Sequence, residues 1–132
     1  KEKLLFLKSK HGIEVLGYKD DLRNLIDSAR VFIVPARLGG GTKGKILEAL
    51  SMGKPVIATS LGAEGYTGDI LGTIRIADTP EDFANNALAL IENESLRKTM
   101  GLLGRSVVEQ EYKWKSVFSK MDKMYEILSN NS

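Results

Sequence analysis

The first residues of this chain that could do chemistry are a run of glycines and the charged side chains that follow it. Residues 39–41 are all glycine, Lys43 and Lys45 come next, and Glu48 lies one helical turn further on. A glycine loop that opens a helix presents backbone N–H groups and a positive dipole end to a phosphate. A carboxylate such as that of Glu48 accepts hydrogen bonds from a diol. The pattern fits a nucleotide site, and it equally fits a tight turn that needs glycine only for its geometry.

A strand–loop–helix–strand unit must position these residues. Residues 31–34 are an apolar run of strand type, which Pro35 closes. Residues 46–50 have an apolar face at helical spacing, and Gly53 suits the end of that helix. Residues 55–59 form a second apolar run. The unit spans about thirty residues, which predicts a parallel, right-handed βαβ crossover.

The same signals continue along the chain. They predict strands at residues 13–16 and 73–77, and helices at residues 20–29, 80–92, 95–111 and 114–128. Thr79 is the predicted N-cap of the helix that begins at Pro80. Residues 60–69 are predicted to be a glycine-rich loop at the carboxyl end of a strand, where ligands collect in open α/β sheets. We therefore expect an α/β fold: an open, parallel, Rossmann-like sheet of four to five strands with helices on both faces.

Composition excludes several classes of protein. The chain has 132 residues, a net charge of +2, one histidine and no cysteine, so disulfides and thiolate metal sites are excluded. Its basic residues form no dense block interleaved with aromatics, so we expect no nucleic-acid partner. No apolar run approaches the roughly 20 residues of a membrane span. We expect a cytoplasmic protein with no metal and no cofactor.

Two familiar phosphate motifs fit the glycine loop poorly. Gly39, Gly41 and Gly44 match a dinucleotide fingerprint, but the acid about twenty residues further on, Glu64, lies inside a loop and not at a strand end. Gly39, Gly44 and Lys45 nearly form a P-loop, but a P-loop needs Ser or Thr next to hold magnesium, and the chain has Ile46. We therefore reject an NTPase.

A third interpretation explains more of the chain. Residues 35–59, PARLGGGTKGKILEALSMGKPVIAT, and residues 61–65, LGAEG, resemble the donor-nucleotide motif of the group 1 glycosyltransferases. That family is retaining and has the two-domain GT-B fold. Weaker similarities upstream and downstream extend the resemblance to nearly the whole chain. The resemblance implies that residues 1–132 are most of the C-terminal, donor-binding domain and that the N-terminal acceptor domain is absent.

The resemblance also implies roles for individual residues. Glu48 matches the second glutamate of the family's paired-glutamate motif, which accepts hydrogen bonds from ribose hydroxyls. The first glutamate would fall at Gly40, where this chain departs from the pattern and is similar to a glycine-rich variant. Gly41, Thr42 and Lys43 would bring backbone amides to the diphosphate and sugar.

Other residues would complete the site. Lys43 and Lys45 would add positive charge. The loop that contains Gly62, Glu64 and Gly65 would lie beside the donor, and Tyr18 and Leu22 would be neighbours of the base. The catalytic residues are not identified, and nothing in the chain matches the family's diphosphate-binding Arg and Lys.

The function that the resemblance implies is transfer of a sugar, with retention, from a nucleotide diphosphate sugar to an acceptor. The acceptor would be a glycan, a lipid or another molecule bound by the N-terminal domain, in glycan or cell-surface polysaccharide synthesis. Peripheral membrane association of the parent protein stays open. Two alternatives remain: a sugar-nucleotide epimerase of the same fold, and a nucleotide-binding module without chemistry of its own.

Overall fold

The chain contains a small parallel sheet between helices. The computed structural model describes residue 6, residues 12–41 and residues 44–112. The elements of these residues are, in chain order, α1 (Arg23–Ser28), β1 (Phe32–Val34), α2 (Gly44–Ser51), β2 (Val56–Ala58), α3 (Gly68–Gly72), β3 (Ile74–Ile76), α4 (Pro80–Glu92) and α5 (Glu94–Glu111).

The three strands pair in the order of the sequence. β1 pairs with β2 and β2 with β3, both in parallel, so that Ile33 lies beside Ile57 and Ile57 beside Arg75. The predicted βαβ unit and the α/β class are confirmed. The predicted strand at residues 13–16 is wrong, because these residues form no regular element. Ile13 and Leu16 are 44% and 40% exposed, and an alternating pattern forms a strand only where a neighbour buries one of its faces. The sheet therefore has three strands in the described part of the chain, not four to five.

Side chains of β2 alternate between two buried clusters. Val56 and Ala58 pack into a first cluster with α1, α2, α3 and α5, whereas Ile57 packs into a second cluster with Leu90 of α4. Because successive strand residues point to opposite faces, the two clusters lie on opposite faces of the sheet. Helices on both faces were predicted, and this is confirmed.

Several predicted boundaries are also confirmed. Thr79 caps α4, since its hydroxyl oxygen accepts a hydrogen bond from the backbone N–H of Asp82 at 3.1 Å. Asn93 separates α4 from α5 and caps α5 through the N–H of Leu96 at 2.9 Å. The predicted helix at residues 114–128 lies outside the described residues.

Two predictions need correction. The helix predicted for residues 20–29 extends only over Arg23–Ser28, because the Asp21 carboxylate accepts the backbone N–H of Arg23 at 2.9 Å ahead of the first turn. The end of the predicted loop at residues 60–69 is helical, since α3 begins at Gly68. Burial of Ile70 against the first cluster stabilises this short helix despite the glycines at its two ends.

Candidate functional site

The candidate site lies at the carboxyl edge of the sheet, where the three parallel strands end. Residues 35–41 follow β1, residues 59–66 follow β2, and Asp78 follows β3 closely. In open parallel sheets the loops at this edge are the usual place for ligands.

The hydroxyl of Thr59 connects the first two of these loops. It donates a hydrogen bond to the carbonyl of Ala36 at 2.7 Å and accepts one from the N–H of Gly62 at 3.0 Å. A Cβ at position 62 would lie 2.6 Å from the carbonyl oxygen of Val34, so only glycine allows this close approach. The backbone N–H of Gly62, a predicted donor-binding residue, therefore already has a partner within the protein.

Asp78 holds the start of the turn after β2. One carboxylate oxygen accepts the backbone N–H of Ser60 at 2.7 Å, and the other accepts its hydroxyl at 2.6 Å. These two hydrogen bonds lower the pKa of Asp78 below its ordinary value of 3.8, the bond from the hydroxyl having the larger effect. The turn is thus attached to two strands: to β2 by the chain itself and to β3 by Asp78.

Glu64 reaches from this turn to the glycine loop. Its Oε2 accepts a hydrogen bond from the backbone N–H of Gly41 at 3.1 Å. On either side of it, Ala63 and Tyr66 are each 3% exposed and belong to the first buried cluster. This burial raises the pKa of the Tyr66 hydroxyl. The base of the turn is therefore anchored in the core, while the Glu64 side chain extends from it at the surface.

Glu48 is on α2, which the glycine loop enters. One face of the helix is fully buried through Ile46, Ala49 and Leu50. Glu48 lies at the border of that face, and 31% of its side chain is exposed. Lys45 lies one turn earlier, and its Nζ donates to Oε2 of Glu48 at 2.7 Å.

The start of α1 contributes a second ion pair close to these charges. Hydrogen bonds from Arg23, with smaller effects of the charges of Arg23 and Lys45, lower the pKa of the Asp21 carboxyl from 3.8 to about 2. The hydrogen bond to Asp21 is the main cause that raises the pKa of Arg23, and the charges of Asp21 and Glu48 raise it as well. Leu22, directly before α1, packs against the first buried cluster, to which α2 contributes Ile46 and Leu50, so the start of α1 lies near α2.

Comparison with known proteins is decisive for the family. The family model described as "Glycosyl transferases group 1" matches residues 1–93. The chain belongs to the group 1 glycosyltransferase family. It is also similar to two uncharacterized glycosyltransferases of Methanocaldococcus jannaschii. The first is 32% identical over 126 residues, covering 89% of this chain and 34% of the relative. The second is 28% identical over 152 residues, covering 94% and 39%.

A third relative has a more specific name. It is a GDP-mannose-dependent monoacylated alpha-(1-6)-phosphatidylinositol monomannoside mannosyltransferase of Corynebacterium glutamicum, 33% identical over 101 residues, or 71% of this chain and 26% of the relative. The chain thus spans only about a third of the length of these glycosyltransferases.

The structure brings together some of the predicted donor-binding residues of this glycosyltransferase chain and separates others. Glu64 meets the glycine loop, and Lys45 meets Glu48. Gly65, with a φ of 88°, closes the turn next to Glu64. Thr42 and Lys43 lie outside the described residues.

The two predicted neighbours of the base differ in their surroundings. Tyr18 is 89% exposed, whereas Leu22 is partly buried against the first cluster at the start of α1. A leucine that packs into the core presents little of its side chain to a ligand, whereas the ring of Tyr18 is open to solvent.

Sequence analysis missed three residues that shape the site: Thr59, Ser60 and Asp78. A signal was present, because each residue comes directly or almost directly after a buried strand, and the ends of parallel strands meet at one edge. The local pattern here predicts only the helix start at Thr79, and the hydrogen bonds between Asp78 and Ser60 could not be inferred from it.

Two concavities lie near the carboxyl edge. One of about 350 Å³ lies between the exposed side of β1 and α4, with Ile33, Pro35 and Phe83 as its apolar floor, and none of the predicted donor-binding residues lines it. The other, of about 230 Å³, is lined by Glu64 and Gly65. Neither concavity is lined by the glycine loop, Lys45 or Glu48, so neither one by itself outlines the candidate site.

Residues 6, 12–41 and 44–112 contain no cluster of three or more His, Cys, Asp or Glu side chains suited to a metal ion. Over the same ranges, no helix combines the length and the apolar character that crossing a membrane requires.

Proposed function

We propose that this chain is the donor-binding part of a longer glycosyltransferase, which moves a sugar with retention from a nucleotide diphosphate sugar to an acceptor. The acceptor would be bound mainly by an N-terminal domain outside this chain. The observation that carries the proposal is the convergence at the carboxyl edge: the glycine loop enters α2, and Glu64 from the next loop contacts it. This geometry supports a site for a ligand with both phosphate and hydroxyl groups.

The diphosphate belongs at the glycine loop and the start of α2. The unpaired N–H groups of a first helical turn and the helix dipole favour an anion there. We assign backbone amides of Thr42 and Lys43 to the phosphates, since that of Gly41 already donates to Glu64. The side chains of Lys43 and Lys45 add positive charge nearby. When the sugar leaves, charge develops on the diphosphate, and fixed donors stabilise that charge without reorganising.

The ribose belongs at Glu48. Its carboxylate is on a helix whose other face is fully buried, so its position is well defined, yet 31% of the side chain is exposed to a ligand. The ion pair with Lys45 holds the carboxylate toward the start of α2. Two carboxylate oxygens suit the two adjacent hydroxyls of a ribose.

The name of one relative suggests which donor to test first. The mannosyltransferase of Corynebacterium glutamicum is GDP-mannose-dependent by name. GDP-mannose is therefore the first donor to try for this protein, followed by UDP-sugars. We place the reaction in glycan or cell-surface polysaccharide synthesis on the cytoplasmic side, where a lipid-linked acceptor would require peripheral membrane association.

Replacing Glu48 in the longer protein tests this function. A hydrogen bond to a charged group contributes about 1.5–3 kcal/mol, so Glu48→Ala should lower kcat/KM for the donor roughly 10- to 150-fold. Glu48→Gln should be milder, since the amide still accepts one bond. The thermal melting curve should barely change, because the lost ion pair with Lys45 is exposed and such pairs contribute at most about 1 kcal/mol.

Glu92→Gln, which neutralises an exposed carboxylate at the end of α4, is the matched control and should have normal kinetics. A folded Glu48→Ala enzyme with normal donor kinetics would contradict the ribose assignment. A longer protein that transfers no sugar from any donor would contradict the function itself.

A further inference from the structure

Position 40 is where this chain departs from the paired-glutamate pattern, and the structure shows what occupies the adjacent space. Gly40 has no side chain, but a Cβ built on it would lie 3.5 Å from Oε2 of Glu64. This gap is comparable with the reach of a glutamate side chain from its Cβ to its carboxylate. One oxygen of the Glu64 carboxylate therefore lies within the distance that a glutamate at position 40 could reach with its own carboxylate.

The position of that carboxylate is set by the fold. Asp78 holds Ser60 by two hydrogen bonds, and Thr59 holds Gly62 by another. The residue before Glu64 is buried in the core, and Glu64 itself is bonded to the N–H of Gly41. A carboxylate fixed at both its backbone and its tip is preorganised, so little entropy is lost when a ligand contacts it.

We propose that Glu64 supplies, from the turn after β2, the carboxylate that position 40 lacks, and that it accepts hydrogen bonds from hydroxyls of the donor's sugar. This assignment rests on the proposed function and makes Glu64 a determinant of sugar specificity. A carboxylate has about four lone-pair sites, so the bond to Gly41 leaves capacity for ligand hydroxyls.

Charge decides between the sugar and the diphosphate as the partner of Glu64. A carboxylate and a diphosphate repel each other, and like charges at close range disfavour binding. Neutral sugar hydroxyls, in contrast, donate to a carboxylate in strong, charge-assisted hydrogen bonds. The glycine loop and lysines would thus hold the diphosphate, while Glu64 contacts the part of the donor that is transferred.

The first test compares two properties of a Glu64→Ala variant of the longer protein. We expect kcat/KM for the nucleotide sugar to fall roughly 10- to 150-fold, as for the loss of a bond to a charged group. The inhibition constant of the free nucleoside diphosphate should stay within about twofold. Donors that lack single sugar hydroxyls complete the test: the one that lacks the contacted hydroxyl should be used equally well by the wild type and the variant.

The second test moves the carboxylate back to position 40. Gly40 does not have the positive φ of its neighbours, which is 90° at Gly39 and 84° at Gly41, so a glutamate fits its backbone. The double variant Gly40→Glu with Glu64→Ala should have a kcat/KM at least tenfold higher than that of Glu64→Ala alone. Gly41→Glu with Glu64→Ala is the matched control, and it should recover nothing because its backbone conformation disfavours side chains.

The outcomes separate this inference from the function on which it rests. If Glu64→Ala weakens inhibition by the nucleoside diphosphate as much as it lowers kcat/KM for the nucleotide sugar, the residue only holds the glycine loop. The inference is then overturned. Unchanged donor kinetics in Glu64→Ala would overturn it as well, while leaving the proposed function in place. A wild-type enzyme that transfers no sugar would overturn both.

Discussion

Single polar side chains position the two loops of the site relative to each other. Thr59 bonds to both loops, and Asp78 fixes the start of the second loop from a third strand. Short side chains on strand ends lose little rotamer freedom when they make such bonds, which makes them efficient at holding backbone in place. The ligand-contacting residues can therefore remain exposed without being poorly positioned.

At this scale, pH should act on the turn through Asp78. Its folded-state pKa is lowered by the hydroxyl and N–H of Ser60, so its contribution to stability is fully present above the unfolded value of 3.8. That contribution should be lost as the pH falls through the lower, folded-state pKa. The backbone amide signal of Ser60, followed by NMR, should shift with a midpoint below 3.8.

Asp78→Asn provides the control for this titration. It cannot ionise, so the shift of the Ser60 amide below pH 3.8 should disappear. A midpoint at or above 3.8 in the wild type would show that the hydrogen bonds from Ser60 do not lower the pKa of Asp78.

At the scale of elements, the packing of α5 against the end of α2 depends on glycine. A Cβ at Gly101 would lie 2.0 Å from the carbonyl oxygen of Gly53, and one at Gly104 would lie 2.6 Å from the side chain of Leu50. Because α2 carries Glu48, this contact between helices also supports the site. Sequence periodicity alone does not distinguish such glycines from weak points in a helix.

Gly101→Ala should therefore destabilise the fold, although alanine is the better helix former. Overpacking costs about 1–3 kcal/mol and more when a backbone atom must move, whereas the gain in helix propensity is at most about 1 kcal/mol. Urea unfolding followed by circular dichroism measures the net change in the free energy of unfolding.

Gly72→Ala is the matched control, since a Cβ at this helical position of α3 would meet no atom within 4 Å. It should be neutral or stabilise by up to about 1 kcal/mol. Equal effects of the two substitutions would contradict the close packing of α5 on Gly53.

At the scale of the whole molecule, the 132-residue chain should bind nucleotides weakly without transferring sugar. The glycine loop, Glu48 and Glu64 are present, while the acceptor domain is proposed to lie elsewhere. We expect a dissociation constant of about 1 mM, which corresponds to roughly 4 kcal/mol. Titration with UDP, GDP and ADP, observed by NMR of the protein, should shift signals of residues 39–48 and 62–65.

Shifts confined to other residues would place the nucleotide site elsewhere. The concavity between β1 and α4 is the first alternative, and signals of Ile33 and Phe83 would report it. Sugar transfer by the isolated chain at the rate of the longer protein would contradict the proposed division of labour between domains.

The sequence was sufficient for features that depend on neighbours along the chain. The βαβ unit around the glycine loop, the cap at Thr79 and the break at Asn93 were all predicted, because periodicity, capping and glycine geometry act over a few residues. The family followed from the same local motif. The strand predicted at residues 13–16 was wrong for the same reason, since a local alternation does not reveal whether a partner strand is there.

Only the tertiary structure decided how the residues of the site meet. Glu64 and Gly41 are 23 residues apart, and Ser60 and Asp78 are 18 apart, so neither contact leaves a periodic trace in the sequence. The requirement for glycine at position 62 likewise comes from the carbonyl of Val34 on another strand. Parallel strand pairing brings these distant segments to one edge of the sheet. The proposal that Glu64 substitutes for a carboxylate at position 40 therefore depends on the tertiary structure, because the sequence shows Glu64 only as a residue of a surface loop.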